Sequence, residues 1–235
     1  MSDRTTPPTP VSRRLVTRTA AWATPVVLTA VTAPAYAAAS TATCTDSGQD
    51  TLNQGYGYQV PWFYLGDDPY SFDVDVATTT TNAAGAPITT GSGTGTLQKT
   101  SYFLSYIKLA MPKTAAQGDT VSITLTLARA VRNLTFTLTN VDKTAGQWVD
   151  QVVASPAAFG VLARGSNVAG SGTTADPFTG KADKAVTSKD ASGDVTVTWP
   201  GLVQQVTVSY TAGIAQTSKS AQYVGVGGFS YDNCS

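Results

Sequence analysis

Apolar and polar residues alternate along most of this chain. In Ser71–Ala77, Phe72, Val74 and Val76 fall on one face and Asp73 and Asp75 on the other, the period-2 pattern of a half-buried strand. Val121–Leu127 alternates in the same way, and Leu134–Thr139 follows after Arg132-Asn133. The pattern there predicts two neighbouring strands whose polar partner is Thr. Further strands are predicted over Tyr56–Val60, Gly95–Leu109, Trp148–Ala154, Val195–Trp199, Val203–Tyr210 and Tyr223–Tyr231, about nine in all. Thr78–Thr96 and Ser166–Asp194 read as loops within one domain, because turn-forming residues crowd both. Beyond the first 37 residues no stretch sustains a 3.6-residue apolar stripe, and parallel strands would need crossover helices. The prediction is an all-β protein: an antiparallel β-sandwich, jelly-roll or immunoglobulin-like.

The first 37 residues follow a different rule. Arg4, Arg13, Arg14 and Arg18 stand against the single acid Asp3, ahead of a moderately apolar run from Ala20 to Ala33. That run is shorter than the roughly 20 residues a spanning helix needs, so it reads as the core of a signal peptide. Ala35-Tyr36-Ala37 puts small residues where a signal peptidase requires them, which predicts cleavage after Ala37 and one domain over residues 38–235. Ser12-Arg13-Arg14-Leu15-Val16-Thr17-Arg18 resembles the twin-arginine export signal, with Thr17 as the departure; the general secretory route is the alternative. Thr41-Ala42-Thr43 before Cys44 lacks a lipidation signal, and Asp232-Asn233-Cys234-Ser235 lacks a hydrophobic tail. The expected location is therefore secreted or at the cell surface, with no membrane span in the mature chain.

Removing the leader leaves eleven Lys and Arg against fourteen acids, a formal net charge of −3. A mildly acidic chain without a basic cluster has no electrostatic means of neutralising phosphates, which excludes nucleic acid as a partner. Every acid is Asp; there is no Glu and no His. A Ser-His-Asp triad and a His-ligated metal are thereby impossible, and a glycosidase-type pair would have to be two Asp residues. Asp67-Asp68 and Asp73/Asp75 are the pairs available, and acids so spaced on a β scaffold are usually solvated turn and strand faces. No catalytic residue is assigned.

Three groups of residues carry candidate chemistry. Cys44 and Cys234 are the only cysteines and, in an oxidising compartment, are most simply a disulfide; a thiol or metal pair is the alternative. Closing that long loop would stabilise the fold by roughly 5 kcal/mol in the chain-entropy model. Asn140, Asp142 and Asp150, in the link between two predicted strands, supply hard oxygen ligands for Ca²⁺, although without EF-hand spacing. The competing account is a hairpin whose turn Asp142 caps while Trp148 covers the core. No other cofactor is expected. Finally, residues 56–70 hold six aromatics, and Tyr58, Trp62 and Tyr64 beside Asp67 form the kind of surface that stacks on sugar rings. Alternatively, these aromatics fill the core.

Val131-Arg132-Asn133-Leu134-Thr135-Phe136-Thr137-Leu138-Thr139-Asn140-Val141-Asp142, Gln147-Trp148-Val149-Asp150-Gln151-Val152 and Val226-Gly227-Gly228-Phe229-Ser230-Tyr231 before Cys234 carry a resemblance. The C-terminal half resembles exported single-domain β-sandwich proteins of Gram-positive bacteria, surface or secreted modules mostly of unassigned function. Asn140 stands where that motif often has Asp. The resemblance implies location and fold more than task. The expected function is a secreted, non-enzymatic binding module for glycan or cell-envelope polymer. Behind it stand a structural or adhesive surface protein that binds another protein, and third an Asp-dependent hydrolase.

Overall fold

The computed structural model describes residues 44–50, 52–54, 62–65, 72–88, 97–99, 105–187, 189–217 and 221–234, with side chains described for 77–88, 106–187, 189–217 and 221–232. The chain divides into two units, Met1–Ala38 and Ala39–Ser235, and every feature below belongs to the second.

Thr, Val and aromatic residues suit a pleated, half-buried backbone, and the regular secondary structure of the described residues is strand apart from one 3-10 turn. The strands are β1 (Cys44–Asp50), β2 (Leu52–Gln54), β3 (Trp62–Leu65), β4 (Phe72–Thr81), β5 (Leu97–Lys99), β6 (Ser105–Ala110), β7 (Thr120–Thr139) and β8 (Lys143–Thr144). They continue as β9 (Trp148–Ser155), β10 (Gly160–Arg164), β11 (Val168–Ala169), β12 (Thr179–Gly180), β13 (Val195–Trp199), β14 (Val203–Ala212) and β15 (Tyr223–Cys234). The described strand pairings are antiparallel, the class that the alternation predicts. Thirteen strands share one hydrogen-bonded sheet that curls into a half-barrel, and β11 with β12 forms a separate ribbon.

The long strand β7 organises the sheet. Its first half lies between β4 and β14, and this first arm runs β2-β3-β4-β7-β14-β9-β8. Its second half lies between β13 and β15, and this second arm continues to β10 on one side and to β1, β6 and β5 on the other. Val121, Ile123, Leu125 and Leu127 are buried in the first half, Leu134, Phe136 and Leu138 in the second. The buried positions thus change from odd to even. The change falls at Asn133, which has a left-handed φ of 50° and whose Nδ2 donates to Asp232 Oδ2 at 2.6 Å. Sequence alternation expects two strands here; the chain instead makes one, because an Asn in the left-handed region adds a residue to the strand without breaking it.

Both arms bury their inner faces in one core. Val206, Val208 and Tyr210 of β14 join Phe136 of β7, Trp199 of β13 and Val226 of β15 in a single buried cluster. Phe136 packs its ring 5.1 Å from Trp199 and 5.3 Å from Phe229.

Other boundaries shift for local reasons. The strand expected over Gly95–Leu109 contains β5 and β6, and Tyr56–Val60 lies outside the described residues. The segment expected to be a loop from Thr78 begins as strand, since β4 runs to Thr81. Asn82 then turns the chain, its Oδ1 accepting from the Ala84 and Ala86 amides at 3.0 and 2.9 Å. The Ser166–Asp194 loop contains β11, β12 and a 3-10 turn at Ala191–Gly193, and it closes the free edge of β9. Val152 and Phe178 exchange two backbone bonds of 2.9 Å, and the Ala154 amide donates to the Gly172 carbonyl at 3.0 Å.

The phase change at Asn133 gives a controlled test. Asn133→Ala and Asn133→Gly both lose the bond to Asp232, but only Ala carries a Cβ penalty in the left-handed region. The Gly variant should be more stable than the Ala variant by about 1 kcal/mol in denaturant unfolding; equal midpoints would mean that the backbone angle is not what the position selects.

Candidate functional site

The link from β7 to β9 is built around two buried carboxylates. Asn140 ends β7 with a φ of 67° and donates its Nδ2 to the Tyr223 carbonyl at 2.8 Å. Asn tolerates this left-handed angle better than most residues. After Val141, Asp142 and Asp150 flank the hairpin of β8 and β9, whose turn closes through the Gln147 amide to the Thr144 carbonyl with Gly146 at a φ of 68°. Asp150 shares an inward face with Trp148, Val152 and Ala154, the alternating buried positions of β9.

Each carboxylate oxygen of this pair accepts a protein hydrogen bond. The Trp148 indole donates to Asp142 Oδ1 at 2.5 Å and the Val186 amide to Asp142 Oδ2 at 2.6 Å. The Tyr210 hydroxyl donates to Asp150 Oδ1 at 2.7 Å, and the Asp142 amide to Asp150 Oδ2 at 3.0 Å. Gln216 Nε2 in turn donates to the Tyr210 hydroxyl at 3.4 Å. Burial raises the pKa of both acids, and for Asp150 the neighbouring Asp142 charge raises it further. The structure therefore brings Asp142 and Asp150 together, with N–H and O–H groups bonded to all four of their oxygens, whereas the Asn140 side chain bonds the Tyr223 carbonyl instead of joining them as a ligand set. Among the described residues no group of three or more His, Cys, Asp or Glu is arranged to hold a metal. Nor does Asp142 cap the hairpin turn; it ties the hairpin to the 166–194 loop through Val186.

A second group lies on the opposite face of the first arm. Val74 and Val76 of β4 pair with Leu127 and Leu125, which are buried, so Asp73 and Asp75 occupy the outer face. Across the next strand pair, Trp62 stands opposite Asp75 and Tyr64 opposite Asp73; Asn53 of β2 is opposite Tyr64. Directly opposite residues share a face. Trp62, Tyr64, Asp73 and Asp75 therefore hold register positions on one outer face, while Phe63 and Leu65 hold core-side positions. Tyr58, Asp67, Asp68 and the export-signal residues Arg13, Arg14, Ala35 and Ala37 lie outside the described residues.

The outer face continues as paired hydroxyls across β7 and β14. Thr120 meets Thr211 at 2.9 Å, Ser122 meets Ser209 at 2.8 Å and Thr124 meets Thr207 at 2.9 Å. Gln205 Nε2 donates to Thr126 Oγ1 at 3.0 Å, directly beyond Asp75. All these Thr and Ser residues are partly exposed.

On the second arm the structure reveals an aromatic pair absent from the sequence-derived candidates. Tyr106 of β6 and Tyr223 of β15 lie on the outer face with ring centroids 6.1 Å apart and planes within 5°. Lys108 Nζ is 5.0 Å from the Tyr223 ring. Gly225 is required beneath them, because a Cβ there would meet Tyr106 Cδ2 at 2.7 Å and Thr139 Oγ1 at 2.5 Å. The alternation of Tyr106-Ile107-Lys108-Leu109 already carries this signal, since Ile107 and Leu109 face inward.

Comparison with known proteins returns no matching family model, no matching curated protein and no matching solved structure.

The acids make stability depend on pH in a stated direction. Asp194, at the base of the 166–194 loop, is raised to about 6, chiefly by burial; the Asn140 amide bond opposes this and the Asp190 charge adds to it. A carboxyl raised in the folded state binds its proton more tightly folded than unfolded. Its stabilisation is complete below roughly pH 3.9 and is lost as pH rises through the folded value. Asp142 and Asp150 act in the same sense. Asp190 acts oppositely, held near 2 by hydrogen bonds from Lys184 and Ser192, so its contribution is lost only at lower pH. The melting temperature should fall as pH rises from about 4 to about 6. Asp194→Asn should flatten that slope; an unchanged slope would remove Asp194 as its source.

Proposed function

We propose that the protein is an exported, non-enzymatic module that binds a glycan on the outer face of its first arm. The observation that carries this reading is the β3–β4 register, which sets Trp62 opposite Asp75 and Tyr64 opposite Asp73 on the face away from the core. Aromatic rings offer apolar area to the flat side of a sugar, and adjacent carboxylates accept its hydroxyls. The hydroxyl pairs beyond them extend the polar surface over β7 and β14. The absence of His and Glu from the sequence favours binding over catalysis.

Export follows from the leader and is supported by the pairing of Cys44 with Cys234 across β1 and β15. Opposed residues of an antiparallel pair have Cα atoms about 4.5–5.5 Å apart, inside the roughly 4.4–6.8 Å span of a disulfide. The resemblance to exported surface modules points the same way.

The edge strand β10 supports a second reading, adhesion to another protein. Its residues are all exposed, Leu162 at 64%, and strand edges recruit other chains.

Titration of the mature protein with a polysaccharide panel separates the two readings. Binding should be lost in Trp62→Ala and retained in Leu162→Lys; no polymer bound by the unaltered protein would overturn the glycan reading. Separately, a chain beginning at Ala38, unfolded without reductant, should show no thiol reactive to an aromatic disulfide reagent. Two reactive thiols would overturn the disulfide.

A further inference from the structure

We infer that the ligand is a neutral glycan and that anionic envelope polymers are excluded, an inference that rests on the first arm's outer face being the glycan site. The argument is one of charge by strand. Trp62–Leu65, Phe72–Thr81, Thr120–Leu127, Trp148–Ser155 and Val203–Ala212 contain no Lys or Arg. Their acids are Asp73, Asp75 and the inward Asp150. Cations lie away from these strands, as Lys143 of β8 at the far edge of the first arm, as Lys99 of β5, Lys108 of β6 and Arg164 of β10 on the other arm, and past the first half of β7 at Arg129 and Arg132.

A surface that recognises uronate or phosphate groups presents cations or convergent N–H donors, Arg above all. The register sets Asp75 opposite Trp62 and Asp73 opposite Tyr64 on the outer face of the first arm, and hydroxyls and an amide follow on β7 and β14. In the Ser122–Ser209 and Thr124–Thr207 pairs one hydroxyl donates to the other, leaving the second proton and several lone pairs for a ligand, whereas in the third pair Thr120 donates to the Gly118 carbonyl at 3.2 Å. Such groups both donate and accept, which matches sugar hydroxyls. The carboxylates accept hydroxyl protons well and repel anions. The register row Trp62, Asp75, Thr126 and Gln205 crosses four adjacent strands, whose backbones lie about 4.8 Å apart.

The probes are a soluble neutral β-glucan, polygalacturonate and poly(glycerol phosphate), each titrated against the mature protein and its Trp62→Ala and Asp73→Asn/Asp75→Asn variants. Neutral glucan should bind in a Trp62-dependent way, and both anionic polymers at least about tenfold more weakly at low salt. Raising the salt should narrow that gap in the unaltered protein, and the double Asn variant should narrow it at low salt. The salt series decides the matter if the double variant does not fold. Trp62-dependent binding of an anionic polymer as tight as that of the glucan would overturn the neutral class while keeping the glycan site. Binding of none of the three would overturn the neutral-glycan inference, and failure across the wider polysaccharide panel as well would remove the glycan site itself.

Discussion

The constraint on which the rest of this fold depends is that one strand must bury its inner side twice, in two different phases. β7 supplies Val121, Ile123, Leu125 and Leu127 to one arm and Leu134, Phe136 and Leu138 to the other. Side chains in a strand alternate, so a strictly regular strand would turn the second run to solvent. The left-handed Asn133 absorbs the odd residue and returns both runs to the same core. β4 and β14 can then pair with the first half and β13 and β15 with the second, and the outer faces of both arms inherit their order from this one strand.

Much of this architecture was legible in the sequence because period 2 is a local signal. Phe72, Val74 and Val76 face the core side and Asp73 and Asp75 the other side, as the alternation of β4 requires. The joining of the two β7 halves was not legible, since Arg132-Asn133 reads equally as a turn. Pairing partners were not legible either: nothing near Trp62 in the sequence says that Asp75 stands opposite it. The Asp150 signal was present and outweighed by loop chemistry. Alternation from Trp148 through Ala154 places Asp150 inside, and that inside position makes it a hydrogen-bond acceptor for Tyr210.

The buried acids hold the long excursion between β11 and β13 to the sheet. Asp142 accepts from Val186, and the Val141 amide donates to the Gly193 carbonyl at 3.0 Å, so the hairpin and the excursion fix one another. An apolar pair in these positions would leave the Trp148 indole, the Val186 amide and the Tyr210 hydroxyl without these partners, each a costly loss in a buried setting. Burial opposes ionisation of the acids while the four donors favour it, a balance suited to anchoring polar backbone inside a β core.

The opposition of Cys44 and Cys234 also has a mechanical side. β1 begins where β15 ends, so the chain enters and leaves the sheet at one cross-strand position. Tension applied through the two ends would pull the first rung of this ladder apart in peeling, the loading that opens hydrogen bonds one at a time. A covalent link between those two residues would take the tension itself, and the core and the aromatic face of the first arm would be shielded from it.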